Sequence, residues 1–224
     1  MSQLYDVWWK HGENEQKMED SHQPFWRKVL AAVVEEDLQA SSVLDIGCNQ
    51  GGFLRFLYGE RPFREGVGID LARQSIEVAT SRKGDLPIHY EATGDPEKYP
   101  ERFDIAFSTS VLYLIEDLQE HAWKVQQALK PGGVYYSTYS DYNGNPSLPQ
   151  IHKKINAGAS LPMQLHTLDE ITRAFQENGF DVAIARLQPD RFISLRNPDP
   201  WFQRVEERLL YEYEQAYIFR FTKR

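Results

Sequence analysis

The chain has a single cysteine, Cys48, in 224 residues. A lone thiol excludes a disulfide framework and any multi-thiolate metal site, so no metal is expected, and it suits a reducing compartment. Positive charge is scarce: 25 Lys and Arg against 33 Asp and Glu leave a net charge of −8 and a pI near 5.3. A protein that grips a nucleic-acid backbone presents a basic field, so no nucleic-acid partner is expected and a small molecule is favoured. No apolar run approaches the roughly 20 residues of a membrane-spanning helix. The opening MSQLYDVWWKHGENEQ has no apolar signal-peptide core. These absences point to a cytoplasmic protein with no membrane partner, monomeric or homodimeric. Repeats and dividing linkers are also missing, and the length suits a single α/β domain with additions.

What the chain has in abundance is aromatic: five Trp, twelve Tyr and twelve Phe. Tyr5, Trp8 and Trp9 crowd the polar first residues, where they either pack the arm onto the core or form a flap over a small ligand. Ser21 reads as the cap of a helix that buries Trp26, Val29, Leu30 and Val33. The chain is organised around Val43-Leu44-Asp45-Ile46-Gly47-Cys48-Asn49-Gln50-Gly51-Gly52-Phe53-Leu54. A short apolar strand breaks at Gly47, a glycine-rich turn follows, and Phe53, Leu54 and Leu57 open a helix. Backbone N–H groups and the positive helix end are then free to face a ligand. About 20 residues further on, the strand Gly66–Asp70 ends on a carboxylate, at the distance where an acid accepts hydrogen bonds from ribose hydroxyls.

Strand and helix then alternate, which implies a largely parallel, doubly covered sheet. Residues 72–82 read as a helix, 88–91 and 103–109 as strands, and 118–129 as a helix capped by Asp117. Lys130-Pro131-Gly132-Gly133 reads as a turn before the strand Val134–Tyr139. Residues 140–166, with Asn143-Gly144-Asn145-Pro146, Pro149 and Pro162, read as a long loop forming a cap insert. Thr167 and Glu170 form a capping box. Residues 182–187 and 216–222 alternate like strands, and between them Asp199-Pro200 is expected to start a helix with Phe202, Val205 and Leu209 inward. The reading is a single domain over 1–224: an arm and helix to 38, a core over 41–139, the cap insert over 140–166, and C-terminal elements over 167–224.

Three segments in order, VLDIGCNQGG, GVGIDLA and RFDIAFSTSVLYLIED…ALKPGGVYY, resemble the class I S-adenosylmethionine-dependent methyltransferases. TLDEITRAFQENGF is similar to that family's helix before its sixth strand. The resemblance covers roughly residues 40–190. It implies a three-layer Rossmann-like α/β fold with a seven-stranded, mostly parallel sheet whose last strand is antiparallel. It also implies S-adenosyl-L-methionine as cofactor and a methyl group moved to an O, N or C nucleophile of a small molecule. By the same resemblance Asp45 sits beside the cofactor's amino and sulfonium end, and the loop Gly47, Cys48, Asn49 and Gly51 lets backbone approach the methionine part. Asp70 takes the ribose hydroxyls, Leu71 lies against the adenine, Asp95 takes its exocyclic amine, and Ser108 lies where cofactor and substrate meet. Two departures stand out. Asn49 replaces the family's usual glycine, and Asn tolerates positive φ. Pro96 lacks the N–H that the family gives to an adenine ring nitrogen.

Substrate-facing candidates are Trp8, Trp9, Tyr113, Tyr139 and Tyr142, and Tyr113, His152 and His166 are candidate catalytic groups. Cys48 has no adjacent basic partner and reads as a small buried loop residue. His89 alternates within a strand and reads as structural, while His11 and His22 flank the arm. Ser108-Thr109-Ser110-Val111 departs from the Asn/Asp-Pro-Pro-aromatic run of the nucleobase-methylating branch. Three rivals stay open. A nicotinamide oxidoreductase would want a third glycine inside the first helical turn. The others are a non-catalytic binding protein and an enzyme that uses the cofactor for a transfer other than methyl.

Overall fold

The computed structural model describes residues 4–8, 15–195 and 198–224. Seven strands, β1 (Ser42–Ile46), β2 (Glu65–Asp70), β3 (Ile88–Ala92), β4 (Phe103–Ser108), β5 (Leu129–Ser140), β6 (Phe180–Arg186) and β7 (Ala216–Lys223), form one sheet in the order β3-β2-β1-β4-β5-β7-β6. β1 through β5 pair in parallel, and β7 runs antiparallel to both β5 and β6. This is the expected seven-stranded α/β sheet.

Both sheet faces are covered, which is why β1 reads as an unbroken buried run. Helices α1 (Glu15–Ala32) and α2 (Gly52–Glu60) lie on one face, where Trp26, Leu54 and Leu57 meet Val43, Ile105 and Phe107. On the other face α4 (Leu118–Ala128) and α6 (Leu168–Glu177) bring Ala122, Val125 and Phe175 against Leu44, Ala106 and Phe221. Helix α3 (Arg73–Arg82) follows β2. Asp117 Oδ1 accepts the Glu120 N–H at 2.9 Å, and the Thr167–Glu170 capping box closes.

Four local expectations need correction. Helix α1 begins at Glu15, so Ser21 lies inside it and does not cap it. Lys130-Pro131-Gly132-Gly133 belongs to β5, where the ladder with β4 shifts register and Gly132 takes φ +74; the segment is a bulge rather than a turn. The insert is no plain loop, because α5 (Leu148–Gly158) occupies its middle, with Pro149 in the first turn where its missing N–H costs nothing. Asp199-Pro200 starts no helix. The Asp199 carboxylate instead turns the chain by accepting the N–H groups of Trp201 and Phe202, and α7 (Val205–Leu210) begins later and runs into a π-turn over Tyr211–Gln215. Phe202 is buried as expected, but Val205 and Leu209 face solvent.

The two corrected regions meet. Ile151, Ile155, Ala159 and Met163 pack with Phe202, and Asn145 Nδ2 donates to the Glu207 carbonyl and to Gln215 Oε1. Together they form a lobe standing over the carboxyl ends of the strands.

Candidate active site

The sheet order reverses at β1, whose neighbours are β2 and β4, and a crevice opens there at the strand ends. The loop that follows β1 is tied down by its own backbone: Gly47 N and Cys48 N both donate to the Ile69 carbonyl, and Gly51 N donates to that of Cys48. Gly47, Asn49 and Gly51 all take left-handed φ values of +74, +47 and +73. At Gly51 a Cβ would fall 2.4 Å from the Tyr90 ring, whose hydroxyl donates to the Gly51 carbonyl. The turn therefore requires glycine there, while Asn serves at 49.

Asp70 closes β2 and does two jobs. Its Oδ2 accepts the Asn49 N–H and its Oδ1 the Ala72 N–H, each at 2.8 Å. Asp45 is buried beneath the loop, and neither carboxylate oxygen has a hydrogen-bond partner among the described residues. Burial, and then the charge of Asp70, push its carboxyl up to about 8. A buried carboxyl without a donor is costly unless a cation sits beside it, which fits an ammonium or sulfonium.

These groups open onto one cavity of about 2070 Å³. Single small-molecule sites measure roughly 300–1,000 Å³, so this space can hold two ligands. Asp45, Gly47, Cys48, Asn49, Asp70 and Leu71 line one end. Gly51, Asp95 and Ser108 do not line it but adjoin residues that do: Gly52, Pro96 and Thr109. The Asp95 carboxylate is held 3.0 Å from Lys124 Nζ, and Pro96 opens a one-turn 3₁₀ helix, where a missing N–H leaves no bond broken. Trp8, Tyr113, Tyr142 and His166 line the other end. Burial raises the phenol of Tyr113, keeping it a hydrogen-bond donor. His166 Nε2 lies 2.7 Å from the Ile115 carbonyl, which assigns the proton to Nε2 and leaves Nδ1 as the ring's acceptor.

Several expected site residues lie elsewhere. Tyr139 is buried, and its hydroxyl donates to the His166 carbonyl, so it supports the wall without forming it. His152 lies on α5 outside the lining and contacts Asn156. Trp9 and His11 fall outside the described residues. Cys48 is buried and its thiol is raised well above the ordinary range by burial and by the two neighbouring carboxylates, which leaves it unreactive. His89 is exposed on β3.

Sequence reasoning expected the arm over the core but not what fastens it, and it missed two further parts of the site. Residues 4–8 form a strap: Tyr5 N donates to the Leu71 carbonyl, Arg73 N to that of Tyr5, and Ser160 binds the Val7 and Trp8 carbonyls. A latch joins α1 to the glycine loop, where Arg55 bridges Glu19 and the Gln50 carbonyl while Arg82 bridges Glu19 and Gln50 Oε1. At the far end Lys28, Glu212, Arg208 and Asp199 form a chain of ion pairs on the cavity wall. The Arg208 and Glu212 spacing of four was the one available signal for this chain.

Residues 18–183 match the family model described as a methyltransferase domain. The chain belongs to that family. The malonyl-[acyl-carrier protein] O-methyltransferase of Anoxybacillus flavithermus is 26% identical over 197 residues, which span 79% of this chain and 76% of that protein. Ubiquinone biosynthesis O-methyltransferases also match, but over less than half of their own length. Among solved structures, a chain of the complex between the Haloferax volcanii Trm112 methyltransferase activator and a methyltransferase superposes with a TM-score of 0.75. It is 20% identical, and the superposition covers 95% of this chain and 94% of that one. An S-adenosylmethionine-dependent methyltransferase from Mesorhizobium loti superposes with a TM-score of 0.68 at 18% identity, covering 91% and 99%. This methyltransferase therefore has the class I, S-adenosylmethionine-dependent fold. No helix among the described residues is long and apolar enough to cross a membrane.

Proposed function

We propose that this methyltransferase moves the methyl group of S-adenosylmethionine to an O, N or C nucleophile of a small molecule held in the aromatic end of the cavity. Held against Asp45, the glycine loop and Asp70, S-adenosylmethionine would supply an electrophilic methyl on sulfur, with the homocysteine thioether as leaving group and any proton on the nucleophile lost to a base or to water. The observation that carries the reading is the partnerless Asp45 carboxyl and the doubly bonded Asp70 opening into one cavity with an aromatic lobe.

In this reading Asp45 offsets the cofactor's positive end, and the loop Gly47, Cys48, Asn49 and Gly51 lays its backbone against the methionine part. Asp70, at the end of β2 on the cavity wall, takes ribose hydroxyls, and Leu71 covers the adenine. Asp95, fastened by Lys124 and flanked by the lining residues Gly94 and Pro96, is the acid on the adenine side, while Ser108 ends the strand under the reacting centre. The strap and lobe exclude water and hold the nucleophile in line with the departing sulfur, the main task when the methyl donor is already reactive. Tyr113 donates to the acceptor, and His166 Nδ1 is the basic nitrogen available for its proton.

Calorimetric titration with S-adenosylmethionine and with S-adenosylhomocysteine tests this directly. Saturable one-to-one binding that is lost in Asp70→Ala is the expected result. An empty titration would overturn the proposal.

A further inference from the structure

The acceptor end of the cavity is polar where it could have been merely apolar, and its charges are arranged in a definite way. Lys28 on α1 puts Nζ 3.1 Å from Glu212 Oε2, and Arg208 puts Nη2 2.6 Å from Glu212 Oε1. Arg208 Nη1 also lies 3.6 Å from Asp199 Oδ2, with the guanidinium stacked over Phe202. Glu212 is the most enclosed member, with its side chain only 10% exposed, and its two oxygens face two different cations. Two positive and two negative charges cancel, and all four residues line the cavity.

The surrounding wall is flat and apolar. Tyr142 and Tyr211 stack at 5.3 Å and 19°, Phe202 lies 5.4 Å from Tyr211, and Ile151 and Ile155 continue the surface. A charged acceptor buried here would find Lys28 Nζ, both Nη atoms of Arg208 and both oxygens of Glu212 already engaged, while the buried Arg208 Nε, without a partner among the described residues, suits a neutral carbonyl oxygen. A carboxylate would be the third anion around Arg208. An ammonium would find both carboxylates of this network already paired with Lys28 and Arg208. A neutral planar molecule meets neither penalty, and stacking on the rings is favourable.

We propose that the acceptor is a neutral, flat, largely apolar small molecule, and that Glu212 sets this preference by cancelling Lys28 and Arg208, two cations that would otherwise select a carboxylate. The inference rests on the methyl-transfer reading for its use of the site, but charge preference can be measured independently. Glu212 acts on the acceptor through its two cationic neighbours and is a specificity-determining residue.

The test uses acetophenone, benzoate and benzylamine, which share one ring and differ in charge near neutral pH. Each is titrated into the full-length protein by calorimetry, with and without saturating S-adenosylhomocysteine. Acetophenone is expected to bind at least tenfold more tightly than either charged probe. Glu212→Gln uncovers both cations and should improve benzoate relative to acetophenone by at least tenfold. Lys28→Gln, on the more exposed side of the network, leaves an excess negative charge and should shift the ratio the other way, towards benzylamine. This second variant keeps the test alive if Glu212→Gln fails to fold.

Wild-type preference for benzoate or benzylamine would overturn the proposal. So would variants that fold and leave the probe ratios unchanged, or an absence of binding by all three probes. Failure of S-adenosylhomocysteine to bind would count against the methyl-transfer reading alone, since the probe ratios without it still decide the charge preference.

Discussion

The two ends of the cavity are built by different means. The proposed cofactor end is largely local: β1, its loop and the end of β2 lie within residues 42–72 and hold each other through backbone bonds, with Asp70 accepting the N–H groups of Asn49 and Ala72. The acceptor end is assembled from far apart in the chain. Lys28 meets Glu212 across 184 positions, and Ser160 holds the Val7 carbonyl across 153. A site made by contiguous residues can be tuned by one substitution in the turn, whereas one made by distant segments responds through several weak ties at once. The predictions that follow press on this difference, beginning at the local end.

The largest expected effect comes from Asp45. Its carboxyl is held up at about 8 by burial and by Asp70, against an ordinary value of 3.8. Below pH 4 it is protonated in both folded and unfolded chains. Between pH 4 and 8 the unfolded chain releases that proton and the folded chain keeps it, so stability falls as pH rises, at up to ~1.4 kcal/mol per unit. Asp45→Asn should flatten this slope in chemical denaturation of the ligand-free protein while weakening cofactor binding. Equal slopes for the two proteins would show that Asp45 titrates normally.

Asp70→Ala comes next. It removes two charge-assisted bonds to the loop backbone together with the proposed ribose contacts, and should cost about 3 kcal/mol of cofactor affinity, measured by calorimetry. Retained affinity would confine Asp70 to bracing the turn. Asn49 has a smaller and more specific effect. At φ +47, a β-branched Val should cost about 1–2 kcal/mol of stability while Gly should be nearly neutral. Equal melting temperatures for Asn49→Val and Asn49→Gly would remove the strain argument.

The same contrast explains what was legible in the sequence. The loop, Asp45, Asp70, the Asp117 cap and the Thr167–Glu170 box are set by residues within a few positions of one another, so their spacing exposed them. β1, β2 and β4 were legible because double coverage makes them nearly continuous buried runs, and β6 and β7 because their residues alternate. The lobe was not. Gly144, Pro146 and Pro149 read as breakers, yet Pro149 lies in the first turn of α5, and the stretch 205–212, expected to turn Val205 and Leu209 inward, buries Glu207 and Glu212 instead. Only a partner as distant as Lys28, or the buried bonds of Asn145 to Gln215 and of Ser147 to Glu207, turns that stretch inward. Tyr139 and His152 were misplaced for the same reason, since nothing local fixes which side of the lobe meets the cavity.

The smallest predicted effect joins the two ends. Ser160 bonds the lobe to the strap twice: its N–H donates to the Trp8 carbonyl at 2.9 Å and its hydroxyl to the Val7 carbonyl at 2.6 Å. The strap's other end holds Leu71 and Arg73, beside Asp70. Ser160→Ala deletes the hydroxyl bond and keeps the backbone one, a loss of about 1 kcal/mol. If the strap only packs against the core, that loss should appear in the melting temperature and leave catalysis alone. If it closes the cavity over both ligands, KM for the acceptor should rise by roughly fivefold, the equivalent of that energy, with kcat less affected and cofactor affinity slightly reduced through Leu71. A melting shift with unchanged KM would separate the two ends of the cavity energetically and leave the strap a purely structural tie.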